Sequence, residues 1–337
     1  MSWPFALRRQ LMTASHMRFW GTVRGWGREP KFIMGTVHSL QALARADLSI
    51  TPRLRQQLAE WLQEDLGRGD LTTPALRGRE GEAHWRAKAN GVFCGGALLE
   101  PLLKELVGSS PPGLELHLLV RDGTPIEAGQ RLLELRGPAE QLVAMERTAL
   151  NLAMRLSGIA TATAVLVAQL EGTGVALADT RKTTPGLRGL EKYAVRCGGG
   201  INHRMGLDDA AMLKENHLAW AGGVTAAIAA VRADAPWPAR VIVEAETSEE
   251  AQAAVAAGAD ALLLDEFSPQ ALTTLVPMLR AQAEARPARA SIVLEASGVN
   301  PADLKLYATT GVDLISTSAP MTRSSWLDLS MRFTPPG

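Results

Sequence analysis

The sequence predicts a two-part α/β protein: an N-terminal α+β domain beside an incomplete, short parallel α/β barrel. Three observations predict it. After Gly174, short apolar runs alternate with Ala-rich stretches of helical period, the mark of a parallel sheet covered by helices on both faces. Between Glu82 and Gly137, short apolar segments are separated by turn signals, the mark of a strand-rich region. The 337 residues suit two domains, yet the alternating part holds only about 150, against roughly 250 for a closed eight-unit barrel. We expect an N-terminal domain over 45–157, the parallel barrel over 158–325, and a closing segment over 326–334.

The elements follow in order. Leu54, Leu58, Trp61, Leu62 and Leu66 recur at offsets of three and four, so Pro52–Leu66 is an amphipathic helix, ended by Gly67 and Gly69. Leu114–Val120 and Arg131–Leu135 read as strands between the turns Pro111-Pro112-Gly113 and Asp122-Gly123. Pro138 opens a long helical stretch to about Leu170, interrupted near Gly158. The barrel strands are Val175–Ala178, Ala211–Leu213, Arg240–Val243, Ala261–Leu264, Ser291–Leu294 and Val312–Ile315. Helices Gly223–Val231, Ser248–Ala257, Pro269–Ala283 and Pro301–Thr309 lie between them.

Composition excludes several classes. Formal net charge is zero, so no polyanion such as nucleic acid is implied, and attraction for anions must be local. No uninterrupted apolar run approaches the roughly 20 residues that span a membrane. Cys94 and Cys197 match no metal spacing and no disulfide framework, which fits a reducing, cytoplasmic setting. Residues 1–44 form an extension of different character. Met1–Met34 carries six Arg or Lys and three Trp against the single acid Glu29. That composition suits either an organelle transit peptide or a start-site artefact with translation from Met17 or Met34, and we prefer the second.

In a parallel barrel the chemistry sits at the carboxyl ends of the strands. Each apolar run here ends in polar residues: Asp179-Thr180-Arg181-Lys182-Thr183, Lys214-Glu215-Asn216-His217, Glu244, Asp265, Glu295-Ala296-Ser297-Gly298 and Ser316-Thr317-Ser318. The charges sort by sign. Arg181 through His217 holds seven Lys or Arg against four acids, together with His203 and His217. Such a wall concentrates anions, and an arginine fork suits carboxylates and phosphates. We assign Arg181, Lys182, Arg204 and Lys214 to the site and read Arg188, Lys192 and Arg196 as solvated helix charges. Glu244 and Asp265 each end an apolar strand, where a lone carboxylate is costly. Either Mg²⁺ or a lysine or arginine from the basic side offsets that cost. Ser297, Gly298, Ser316 and Ser318 offer hydroxyls and N–H groups for a phosphate. Cys197-Gly198-Gly199-Gly200 requires close backbone approach, and nothing marks Cys197 as a nucleophile.

These residues resemble one family. Asp179–Arg188, Lys192–Gly200, Asn202–Leu207 and Lys214–His217 are similar to the signature block of quinolinate phosphoribosyltransferases. Glu64–Asp70, Glu146–Asn151, Ala257–Asp260 and Leu327–Ser330 match further, so the resemblance runs from about Ile50 to Phe333. It implies an N-terminal α/β domain beside an incomplete barrel that carries the active site, a last strand at 326–334 that rejoins the first domain, a homodimer or higher homo-oligomer, Mg²⁺, and conversion of quinolinate and phosphoribosyl pyrophosphate to nicotinate mononucleotide, pyrophosphate and CO₂. By similarity, Arg147 reaches the partner's site and joins Arg181, His203, Arg204 and Lys214 on the quinolinate carboxylates. Lys182 meets quinolinate or the phosphates, while Glu244 and Asp265 face ribose and metal as catalytic groups. The chain departs from the family pattern at Ile242, Glu266, Val299, Ser318, Pro320 and Arg323, which bears on the 5′-phosphate contacts. Two rivals remain: a paralogue of the molybdenum-locus type, and a non-catalytic dicarboxylate-binding protein, which Val299 and Ser318 favour.

Overall fold

The structure is a computed structural model that describes residues 47–108, 113–286 and 291–334. The extension at 1–44 and the Pro111-Pro112 turn lie outside the described residues. The N-terminal part opens with α1 (Pro52–Leu66). Thr51 Oγ1 accepts the Leu54 N–H at 3.2 Å, proline fills the first turn, and Gly67 stops the helix at φ +54°. Its inward row is Leu54, Leu58 and Leu62. After the short α2 (Thr73–Leu76) come β1 (Glu80–Ala87), β2 (Gly91–Val92), α3 (Leu99–Val107), β3 (Glu115–Leu118), β4 (Pro125–Ile126) and β5 (Arg131–Pro138). A four-stranded antiparallel sheet runs β12–β1–β5–β3, where β12 is Leu329–Thr334. The expected return of the chain end is therefore present, with Trp85 opposite Met331. Helix α3 is absent from the sequence reading. Its buried Leu99, Leu102 and Leu103 have helical spacing, but flanking glycines and turn signals masked so short a segment.

Helix α4 (Ala139–Gln169) is continuous, so the expected interruption at Gly158 does not occur. Gly158 serves a crossing instead: a Cβ there would lie 2.1 Å from the Ser325 carbonyl oxygen. Part of α4 is long and apolar enough to cross a membrane, which a count of unbroken apolar runs overlooked. Here that face is core: Leu142, Met145, Ala149, Ala153, Leu156 and Ile159 are buried beneath the first sheet and its helices. The expected boundary between 157 and 158 falls inside this one helix.

The second part alternates β6 (Ala176–Ala178), α5 (Arg188–Cys197), β7 (Ala211–Leu213), α6 (Glu215–Ala221), α7 (Val224–Asp234), β8 (Val241–Ala245), α8 (Ser248–Ala256), β9 (Ala261–Asp265), α9 (Pro269–Glu284), β10 (Val293–Ser297), α10 (Leu304–Ala308), β11 (Leu314–Ser316) and α11 (Ala319–Arg323). Its six strands are parallel in the order β6–β11–β10–β9–β8–β7, and no closure between β6 and β7 occurs among the described residues. Ile201 adds a single parallel bridge to Ala178 at the β6 edge. Ile242, Ala261 and Leu263 fill the inner face, and a larger cluster packs the strands against the helices. Four strands extend one to three residues beyond the expected ends, because their tips still pair: Ser297 opposes Asp265, and Ser316 opposes Ala178. The mouth is therefore edged by strand ends, not by loops.

Candidate active site

Asp179 follows β6 and is 1% exposed. It forms an ion pair with Lys192 of α5, which is itself 0% exposed. Asp179 also accepts from Asn202 Nδ2 at 2.6 Å and from the His203 N–H at 2.8 Å, while Lys192 Nζ donates to the His203 carbonyl at 2.9 Å. Burial pushes the Asp179 carboxyl up and the Lys192 ammonium down, against the attraction of each for the other. The reading of Lys192 as a solvated charge is thus corrected: a knot of buried charge ties the end of β6 to the 202–204 segment. Arg188 is corrected likewise. It is half-buried and braces two loops, donating to Thr183 Oγ1 at 3.1 Å and to the Met205 carbonyl at 3.0 Å. Arg196 is half-buried too.

The glycine run behaves as expected. A Cβ at Gly198 would lie 2.4 Å from the Ala160 carbonyl oxygen, so α5 turns tightly against α4 before the chain reaches His203. The buried Glu191 accepts from Arg155 at 2.7 Å and from the Thr184 N–H and hydroxyl at 2.9 and 2.8 Å. That pair fixes the loop carrying Arg181 and Lys182.

These segments meet in a cavity of about 290 Å³ lined by Arg181, Lys182, His203, Arg204, Lys214, Glu244, Asp265, Glu295, Ser297 and Ser316. Arg204 Nη1 donates to the Ala210 carbonyl at 3.0 Å. Burial and the Arg181 guanidinium depress the Arg204 pKa, with Asp209 and Glu244 opposing. Lys214 forms an ion pair with Glu244, 13% exposed, so the lysine partner anticipated for that strand end is present. His203 has both ring nitrogens engaged: Nδ1 accepts the Arg204 N–H at 2.7 Å and Nε2 lies 3.1 Å from Glu295 Oε2.

Gly298 adjoins Ser297 at φ +72°, a conformation that suits glycine, and Ser318 caps α11 at φ −89°. Ser318 therefore needs no glycine, and Val299 packs into the barrel core. Arg147 lies apart, in a cleft of about 720 Å³ with Glu60, Glu64, Asp65, Asn151 and Trp326.

Glu244, Asp265 and Glu246 place carboxylate oxygens within 4.8 Å of one another. Glu246 was not expected, although its spacing of two from Glu244 puts it on the same side of the extended chain. Desolvation and the neighbouring Glu215, Glu250, Asp265 and Glu244 raise its carboxyl above the ordinary range. Three carboxylates crowded at one point fit a hard divalent cation.

A basic wall facing such a carboxylate cluster suits an anionic acceptor and a phosphorylated sugar. Comparison with known proteins agrees. Residues 70–185 match the N-terminal domain of quinolinate phosphoribosyl transferase, and residues 159–332 match its C-terminal domain. This chain belongs to the quinolinate phosphoribosyltransferase family. A probable nicotinate-nucleotide pyrophosphorylase (carboxylating) of Synechocystis is 44% identical over 277 residues, covering 82% of this chain and 90% of that protein. Its Bacillus subtilis counterpart is 40% identical, covering 84% and 94%. The NadC structure from Streptococcus pyogenes superposes with a TM-score of 0.77 at 33% identity, covering 86% of this chain and 99% of that one. Within this phosphoribosyltransferase, the basic block and both carboxylate strands lie inside the C-terminal match, while Arg147 lies inside the N-terminal one.

Proposed function

We propose that the barrel mouth joins quinolinate to a phosphoribosyl group, giving nicotinate mononucleotide, pyrophosphate and CO₂. The observation that carries this reading is the sorted charge of one cavity: Arg181, Lys182, Arg204 and Lys214 face Glu244 and Asp265. Two carboxylates and a pyrophosphate need the cationic side, where each charged hydrogen bond contributes about 1.5–3 kcal/mol. Arg181, Arg204 and Lys214 hold the quinolinate carboxylates, joined by Arg147 from a partner subunit of a homodimer or higher homo-oligomer. Lys182 meets quinolinate or the phosphates, and Ser297, Gly298, Ser316 and Ser318 receive phosphate oxygens.

C–N bond formation passes through a sugar carrying oxocarbenium character, as in glycoside chemistry. Glu244 and Asp265 face that cation and the ribose hydroxyls. With Glu246, they would hold Mg²⁺, which supplies charge neutralisation for the departing pyrophosphate. Lys214 and Glu244 neutralise each other in the unliganded mouth, so an arriving carboxylate gives Lys214 a second anion and leaves Glu244 for the ribose. After ribosylation, the C–C bond to the carboxylate beside the ring nitrogen breaks, the cationic nitrogen stabilises the electron pair left on the ring carbon as CO₂ departs, and that carbon takes a proton from water, so no side-chain nucleophile is required. The reading places the enzyme in the cytoplasm. The binding-protein alternative rested on Val299 and Ser318; Ser318 stands at φ −89° and Val299 packs in the core, so neither position demands glycine.

The test supplies purified protein with phosphoribosyl pyrophosphate, Mg²⁺ and either quinolinate or nicotinate. Nicotinate mononucleotide and CO₂ in equal amounts from quinolinate, with little product from nicotinate, is the expected result. Equal use of nicotinate would overturn the dicarboxylate assignment.

A further inference from the structure

His203 and Glu295 hold a relation that the charge pattern did not disclose. A backbone N–H only donates, so the Arg204 N–H at 2.7 Å makes His203 Nδ1 an acceptor. Nε2 then carries the ring proton and donates it to Glu295 Oε2 at 3.1 Å. Neither ring nitrogen is left for a substrate. His203 is also pinned through its backbone, because its N–H donates to Asp179 and its carbonyl accepts from Lys192. Glu295 is 3% exposed and stands on β10, and its Oε1 has no hydrogen-bond partner. Among the described residues, the carboxylate's one hydrogen-bond partner is thus the imidazole.

We infer that Glu295 is a positioning residue: it fixes His203 as the Nε2–H tautomer, and His203 in turn fixes the peptide and side chain of Arg204 for the aromatic dicarboxylate. The chain of contacts runs from Glu295 Oε2 to His203 Nε2, and from His203 Nδ1 to the Arg204 N–H. Arg204 Nη1 is held at the far end by the Ala210 carbonyl, so the guanidinium is braced at both its root and its tip. His203 therefore acts through Arg204 and does not touch quinolinate. The role rests on the proposal that quinolinate occupies this mouth. Glu295 supplies an acceptor at a set distance; its charge is not what Arg204 requires.

Two substitutions separate those properties. Glu295→Gln keeps an acceptor for Nε2–H, and its amide nitrogen replaces an oxygen that accepts nothing. Glu295→Asp keeps the charge but withdraws the acceptor by one methylene. The expected result is that E295D raises KM for quinolinate roughly tenfold or more, the worth of one lost hydrogen bond to a charged group. Its KM for phosphoribosyl pyrophosphate and its melting temperature stay near wild type, and E295Q stays within about threefold on all counts, less than half a decade. An E295Q defect exceeding that of E295D would assign the role to charge and overturn the inference. Equal losses on both substrates, or none in either variant, would overturn it as well.

A direct readout needs no turnover and so stays interpretable if quinolinate proves not to be the substrate. Long-range nitrogen-15 spectra of unliganded wild type, with His203→Gln to assign the signal, should show an unprotonated Nδ1 and a protonated Nε2. The opposite tautomer would sink the inference. So would a large change at the His203 ring nitrogens on adding quinolinate, which would mean direct contact.

Discussion

Lys192 gives the sharpest stability prediction. Its side chain is 1% exposed and that of its partner Asp179 is 0%, so Lys192→Met strips the ammonium from a carboxylate that water does not reach. Asp179 would keep two donors, Asn202 Nδ2 and the His203 N–H. Breaking a buried pair from one side costs about 3–5 kcal/mol, because the remaining charge is desolvated without compensation. Those two remaining donors place the expected loss near the lower end, about 3 kcal/mol. Adding Asp179→Asn removes the buried charge while keeping an acceptor, so the double variant should recover about half of the loss or more. The two directions of shift agree, since burial disfavours the charged form of both partners. The assay is urea unfolding followed by circular dichroism on wild type, K192M, D179N and K192M/D179N. A K192M loss under about 1 kcal/mol, the range of an exposed pair, would refute the reasoning. A double variant less stable than K192M would refute it too.

Other outcomes follow from single positions. Gly158→Ala should destabilise by about 3 kcal/mol despite a helix-propensity gain of about 1 kcal/mol, because the new methyl meets the Ser325 carbonyl; thermal melts read the sign directly. Glu266 holds a left-handed backbone at φ +57°, so Glu266→Gly should stabilise the fold by about 1 kcal/mol, and a stability loss would contradict the strain. Burial works against the ionised Asp209, yet N–H donors including those of Met205 and Gly206 hold its carboxyl below the ordinary value. A depressed carboxyl adds stability that is complete above the unfolded value near 3.9 and fades as pH falls through the lower folded value. The stability gap between wild type and Asp209→Asn should therefore be constant from pH 7 to about 5 and close in stronger acid. Chelation should abolish turnover and Mg²⁺ restore it, with Asp265→Asn requiring more metal; undiminished activity in excess chelator would remove the metal from the proposal.

The legible parts of the fold were those with local signals. Pro52 and Gly67 bracket α1 as the spacing of its leucines does, and the apolar barrel strands announced themselves by composition. Polar strand ends located the mouth because a parallel barrel converges them, so Arg181, Lys182, Lys214, Glu244 and Asp265 could be gathered without a structure, and the basic stretch between Arg181 and His217 added Arg204. Pairings between distant segments were not legible. Nothing local marks Lys192 as buried, since its ring of contacts comes from 179 and 202–203. Arg155 and Glu191 stand 36 residues apart. Gly158 looked like a helix break because its cause, the strand-return segment at Ser325, lies far along the chain. Glu295 was visible only as one polar residue after an apolar run; its bond to His203 depends on the register of β10.

The central claim is that one barrel mouth binds the dicarboxylate and turns it over. The most direct measurement compares wild type with Arg204→Ala for quinolinate binding by calorimetry and for nicotinate mononucleotide formation by mass. Wild type should bind and react, while R204A should lose at least tenfold in quinolinate affinity, the worth of one charged hydrogen bond. Product from R204A at the wild-type rate and the wild-type KM would contradict the claim, and the reaction would then have to be sought elsewhere on the molecule.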